Sequence, residues 1–134
     1  MEKYVLEEVM SGTEDSCLWV TLGFASKLED NDVVHLVCAM AVDAQDRNAG
    51  MADLYLERFD QAYSCYGGAD RVVATPSTVE VHLNRKGCEA LDFEGSDVCF
   101  QVPDGLQGYH DAVGVLRRMS ALECGKTIRV DVPG

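Results

Sequence analysis

Residues 97–132 read DVCFQVPDGLQGYHDAVGVLRRMSALECGKTIRVDV, and their period changes twice. Val98, Phe100 and Val102 alternate with polar neighbours, a strand with its apolar side inward. After Pro103 the repeat lengthens. Leu106, Tyr109, Val113, Leu116 and Met119 recur at helical spacing, which predicts one long helix with Asp104 as its N-cap and Gly125 as its stop. Arg117 and Arg118 fall near its C-terminal end, where positive charge complements the helix dipole. Thr127 to Val132 then alternates again. A strand–helix–strand ending on a chain that is otherwise strand-like predicts an α+β fold: a mostly antiparallel sheet of about seven to eight strands with the long C-terminal helix on one face.

The rest of the chain supplies the strands. Tyr4 to Val9 reads as the first, followed by a polar turn at residues 11–15. Leu18, Val20, Leu22 and Phe24 form one face of the second and are candidate core. Glu29-Asp30-Asn31-Asp32 reads as a solvated turn. It has oxygen ligands but neither the alternating spacing nor the glycine of an EF-hand loop. Val33 to Ala41 is apolar at nearly every position except His35, which predicts a central strand covered on both sides. Ala52 to Phe59 alternates, with Leu54 and Leu56 on one side. Residues 71–74 and 78–83 flank Thr75-Pro76-Ser77, a hairpin turn. Arg85 to Leu91 has the length of one or two helical turns. The 134 residues fit a single domain, 1–134, able to bury its own core.

Twenty-three acidic residues against eleven basic ones give a net charge of -12. The imbalance is concentrated in residues 1–60, with thirteen acids and four bases. Such a surface repels nucleic acid and anionic lipid and favours basic partners. No apolar run approaches the roughly 20 residues that span a bilayer. The charged N-terminus lacks the pattern of a secretory leader, so a cytoplasmic location is expected. The six cysteines are then expected to be free thiols. They form no Cys-x-x-Cys and no zinc spacing with histidine, so neither metal nor cofactor is expected.

Catalytic patterns are missing as well. Gly67-Gly68 is not followed by a Lys-Ser or Lys-Thr pair, and there is no Gly-x-Ser-x-Gly elbow. His35 and Cys38, three apart on a strand, point to opposite faces. The expectation is a protein that is not an enzyme. Residues 43–68 are the least generic stretch: Tyr55, Tyr63 and Tyr66, all aromatic anchors, stand among carboxylates. The candidate partner-binding residues are Glu29, Asp30, Asp32, Asp43, Asp46, Tyr55, Glu57, Asp60, Tyr63 and Tyr66. The carboxylates would steer a basic partner and the tyrosines would supply buried area.

The pattern Gln45-Asp46-x-x-x-Gly50-Met51-x-x-x-Tyr55, then Tyr66-Gly67-Gly68, then Thr75-x-x-Thr78-Val79-x-Val81-x-Leu83, resembles the Immunity protein 10 family of bacterial polymorphic-toxin systems. The resemblance implies a small cytoplasmic protein that binds and neutralises a cognate toxin domain, with no activity of its own. It transfers no functional residue. Two other readings remain open: a small enzyme or ligand-binding domain with a pocket between helix and sheet, and a regulatory subunit with an unrelated basic partner.

Overall fold

The computed structural model describes residues 1–133. It is α+β, with nine strands in the order β5-β4-β3-β2-β1-β8-β7-β6-β9. The strands are β1 (Glu2–Glu14), β2 (Cys17–Phe24), β3 (Asp32–Ala39), β4 (Tyr55–Arg58), β5 (Ser64–Tyr66), β6 (Ala69–Ala74), β7 (Thr78–Leu83), β8 (Asp97–Gln101) and β9 (Ile128–Val130). Six neighbouring pairs are antiparallel; β1–β8 and β6–β9 are parallel. The sheet is therefore mixed, though mostly antiparallel as expected. The strand beyond the expected number is β5, which is three residues long and too short to show a period.

Strand β1 serves two sets of partners. Glu2 to Val5 pair with β8, and Leu6 to Glu14 pair with β2. The register slips between Leu6 and Glu8, so Glu7 is an extra residue that bends the strand where it changes partner. The polar turn expected at residues 11–15 shrinks to Asp15-Ser16. Both have positive φ, 49° and 65°, the backbone of a two-residue hairpin whose twist matches its strands. Ser11 to Glu14 stay in the ladder opposite Cys17 to Val20.

The helix expected after Pro103 is shorter than its spacing predicts, the turns expected at Arg85 to Leu91 form a helix, and a further short helix that was not expected precedes them. The three are α1 (Ala44–Asn48), α2 (Arg85–Leu91) and α3 (Tyr109–Ser120), and a 3-10 turn follows at Glu123–Gly125. The helix after Pro103 starts at Tyr109, not near Asp104. Gly105 and Gly108, with φ of 74° and 89°, hold residues 103–108 in turns, and Gly108 is the N-cap. Tyr109, Ala112, Val113, Leu116 and Met119 form the buried stripe of α3. Tyr109 Oη donates to the Thr75 and Thr78 carbonyls at 2.5 and 3.3 Å, fastening α3 to the β6–β7 hairpin.

One apolar cluster fills the interior. It takes Leu18, Val20, Leu22 and Phe24 from β2, Val72 and Ala74 from β6, Val79, Val81 and Leu83 from β7, and the stripe of α3. Helices α2 and α3 both contribute to it, so both lie on the core side of the sheet. The expectation of a doubly covered β3 is corrected by this arrangement. Val34, Leu36 and Cys38 are buried, whereas Val33, His35 and Val37 are only half-buried.

Gly67-Gly68 carries β5, at one edge of the sheet, directly into β6, the strand next to the other edge. Asn84 caps α2 by accepting from Gly87 N at 2.9 Å and donates to the Gly67 carbonyl at 2.7 Å. Its own N–H bonds the Gly68 carbonyl at 3.0 Å. A Cβ on Gly87 would lie only 3.1 Å from Gly68 Cα and press into the Gly68 carbonyl. The glycines let the α2 backbone rest directly on the β5–β6 link.

Candidate functional site

Register builds the site. Strand pairing places Gly12, Trp19, Val37, Tyr55 and Tyr66 in one row across β1 to β5, on the side facing away from the core. A second row runs Met10, Thr21, His35, Glu57 and Ser64. Five strands at about 4.8 Å spacing make a face roughly 19 Å wide. The Trp19 indole lies over Gly12, where a Cβ would meet its ring at 3.0 Å. Tyr55 and Tyr66 pack with ring centroids 5.0 Å apart. Thr21 Oγ1 and His35 Nδ1 are 2.9 Å apart, and Tyr55 Oη donates to Glu57 Oε1 at 2.7 Å. Burial, reinforced by the Glu57 carboxylate, raises the Tyr55 phenol above its ordinary pKa, so it stays a neutral donor.

The α1 segment walls one end of this face. A concavity of about 470 Å³ has Val37, Tyr55 and Tyr66 among its lining, with Asp46, Met51 and Glu57 also on its wall. Asp43 and Asp46 form a capping box: Asp43 Oδ1 accepts from Asp46 N at 2.8 Å, and Asp46 Oδ2 accepts from Asp43 N at 3.1 Å. Those bonds fix the carboxylates without neutralising them. The nearby cation Arg47 is held by Glu123 through bonds of 2.8 and 2.9 Å. Lys126 sits 3.5 Å from Asp53. The Arg47 pair holds the Glu123 carboxyl below its ordinary pKa.

The candidates from the sequence thus divide. Asp43, Asp46, Tyr55, Glu57 and Tyr66 gather at the outer face and its α1 wall. Glu29, Asp30, Asp60 and Tyr63 lie beyond the other end of β4, all exposed. Asp32 leaves the surface altogether. It is 2% exposed and takes two bonds from Arg58, Nε at 3.1 Å and Nη2 at 2.8 Å. Ser26 Oγ adds a third at 2.7 Å. Arg58 Nη1 donates to the Leu91 and Asp92 carbonyls at 3.1 and 2.8 Å, and the guanidinium lies 3.9 Å from the Phe93 ring centroid. This pair anchors β3 and β4 to the end of α2. Its signal was parity. Asp32 shares the core side with Val34 and Leu36, and Arg58 shares it with Leu54 and Leu56. Opposite charges at core positions of neighbouring strands indicate a buried pair. Trp19, His35 and Val37 were missed as site residues, although each has the outward parity of its strand.

Between α3 and the sheet, where a ligand pocket was the alternative, the α3 stripe is packed into the core. Among the described residues no group of three or more His, Cys, Asp or Glu side chains is arranged to hold a metal ion. All six cysteines are free thiols, and burial raises the Cys38 pKa to about 12. No helix among the described residues is long and apolar enough to cross a membrane.

Comparison with known proteins gives one match. The family model for Immunity protein 10 covers residues 6–106, from β1 through β8 to the turns before α3. No curated protein and no solved structure matches the chain. The matched span includes the whole outer face of β1–β5, the α1 wall and the Gly67-Gly68 link. Because that span is well over half of the sequence, the chain belongs to the Immunity protein 10 family.

Proposed function

We propose that the chain neutralises a cognate toxin in the cytoplasm by stoichiometric occlusion, laying the outer face of β1–β5 over the toxin's functional surface. The family supplies the class of function, immunity against a toxin. The observation that carries the docking face is the aromatic row Trp19, Tyr55 and Tyr66, flanked by Asp43, Asp46 and Glu57 and left uncovered by α2 and α3. Aromatic rings in a half-buried row supply contact area at low entropic cost, and surrounding carboxylates set orientation and encounter rate. A toxin acting on nucleic acid carries a basic cleft for phosphates, which an acidic rim complements.

The test is co-expression with the toxin domain encoded beside this chain. The chain should rescue growth and co-purify in a fixed ratio. Tyr55→Ser with Tyr66→Ser should weaken the complex by about 30-fold or more, the loss of one hot spot of about 2 kcal/mol. The thermal midpoint should hold, because neither ring belongs to the core. Association should slow markedly as salt rises. Parental affinity in the double variant refutes the face, and an association rate flat in salt refutes the steering.

A further inference from the structure

Three of the chain's exposed large apolar residues converge on one cleft away from the aromatic row. Leu28 is 65% exposed, Phe59 47% and Tyr63 43%. Together with Leu91 they line a cavity of about 360 Å³, with Glu29, Asp60 and Asp92 also at its edge. Asp60 spends one oxygen on Ala62 N, at 2.8 Å. The side chains of Glu29 and Asp92 make no hydrogen bond or ion pair among the described residues. Arg58 also reaches the cleft, but its charge is answered by Asp32 and its Nη1 by the Leu91 and Asp92 carbonyls. The cleft is therefore an apolar slot with a net negative rim.

The backbone adds a second observation. Phe59 has φ of 68°, a left-handed conformation that is costly for a bulky side chain. It is held there by Phe59 N to the Val33 carbonyl at 2.9 Å and by Arg58 N to the Tyr63 carbonyl at 2.8 Å. Glycine or asparagine would occupy this position at lower cost. An aromatic ring kept in an unfavourable backbone and turned partly to solvent gains nothing from the core.

We propose that this cleft receives an arginine or lysine side chain of a protein partner. The aliphatic stem would run along Leu28, which is open to solvent at the mouth of the cleft. The cation would lie near the rings of Phe59 and Tyr63, within reach of Glu29, Asp60 and Asp92. The toxin reading enters only in naming which protein carries the basic residue.

The probe is acetyl-Gly-Arg-Gly-amide, titrated into the isotope-labelled free chain and followed by amide NMR shifts. Its citrulline counterpart, equal in shape but neutral, is the control. At about 10 mM peptide, ten times a Kd of about 1 mM, shifts should cluster at residues 28–29, 59–63 and 91–92. The citrulline peptide should bind at least about fivefold more weakly if charge decides. Glu29→Gln, Asp60→Asn and Asp92→Asn together keep shape and should abolish the cluster. Phe59→Gly should keep or raise the thermal midpoint and still lose the peptide. Scattered shifts, no shifts, equal response to citrulline, or binding retained in either variant overturns the proposal. Rescue from the toxin reads the outer face separately, so failure of one reading is distinguishable from failure of the other.

Discussion

Replacing Arg58 by Met removes one side chain from five contacts at once. Asp32 loses two donors, the Leu91 and Asp92 carbonyls lose theirs, and Phe93 loses the cation over its ring. Asp32, 2% exposed, keeps only Ser26 Oγ at 2.7 Å and Val33 N at 2.8 Å. A buried carboxylate stripped of its counter-charge costs about 3–5 kcal/mol. That is a large part of a total stability of about 5–15 kcal/mol. Urea unfolding followed through Trp19, the single tryptophan, should show the midpoint fall by roughly 2 M. Adding Asp32→Leu to Arg58→Met should restore most of the loss, because an apolar pair of similar size leaves no orphaned charge. A single variant that loses less than about 1 kcal/mol would refute this account, since that is the scale of an exposed pair.

The same glycine-to-alanine change should have opposite signs at two helix positions. Gly87→Ala drives a Cβ into the Gly68 backbone and should cost about 1–3 kcal/mol, whereas Gly114→Ala on exposed α3 surface meets nothing within 4 Å and should stabilise by about 1 kcal/mol; thermal unfolding of both variants checks the signs. Native alkylation at pH 8 should spare buried Cys38, Cys99 and Cys124, and denaturant should release all six thiols, as counted by mass spectrometry. Burial raises the Tyr109 phenol to about 12, and burial with the Glu2 carboxylate does the same for Tyr4. The folded state favours their neutral forms, so their contribution is whole below about pH 10 and lost as pH climbs toward 12. Phenolate absorbance should rise together with unfolding in that window; early ionisation of all five tyrosines at constant fold would contradict it.

Strand periodicity was legible wherever one side of a strand was buried and the other was not. Leu18, Val20, Leu22 and Phe24, or Leu54 and Leu56, declare their faces by alternation alone. Helix α3 was legible by its stripe, but its start was not. The apolar Leu106 continues the helical spacing, while Gly105 and Gly108 impose positive φ that spacing does not reveal. Strand β5 and helix α1 are too short to show a period. The parallel pairing of β1 with β8 joins residues almost a hundred positions apart, beyond any local signal. At the candidate face, composition pointed to acids and tyrosines around residues 43–66. It did not supply Trp19, His35 and Val37, because only register brings them beside Tyr55. Nor did it separate Asp32 from Glu29 and Asp30, since a run of acids reads as solvated until a buried arginine claims one of them.

The divided strand β1 bears on the order in which the chain can fold during synthesis. Its segment from Leu6 onward pairs with β2, which follows after two residues, and β3 to β5 come next in sequence. That meander is local and can close as soon as residues to about 66 have emerged. Glu2 to Val5 must wait for Val98 to Gln101. Residues made before the meander are thus among the later ones to find their partners, and until then they leave the edge of the early meander open to solvent. The outer aromatic face, carried wholly by β1 to β5, belongs to the part that can form first, while the pairing of Glu2 to Val5 with β8 closes a loop of nearly the whole sequence and has to follow.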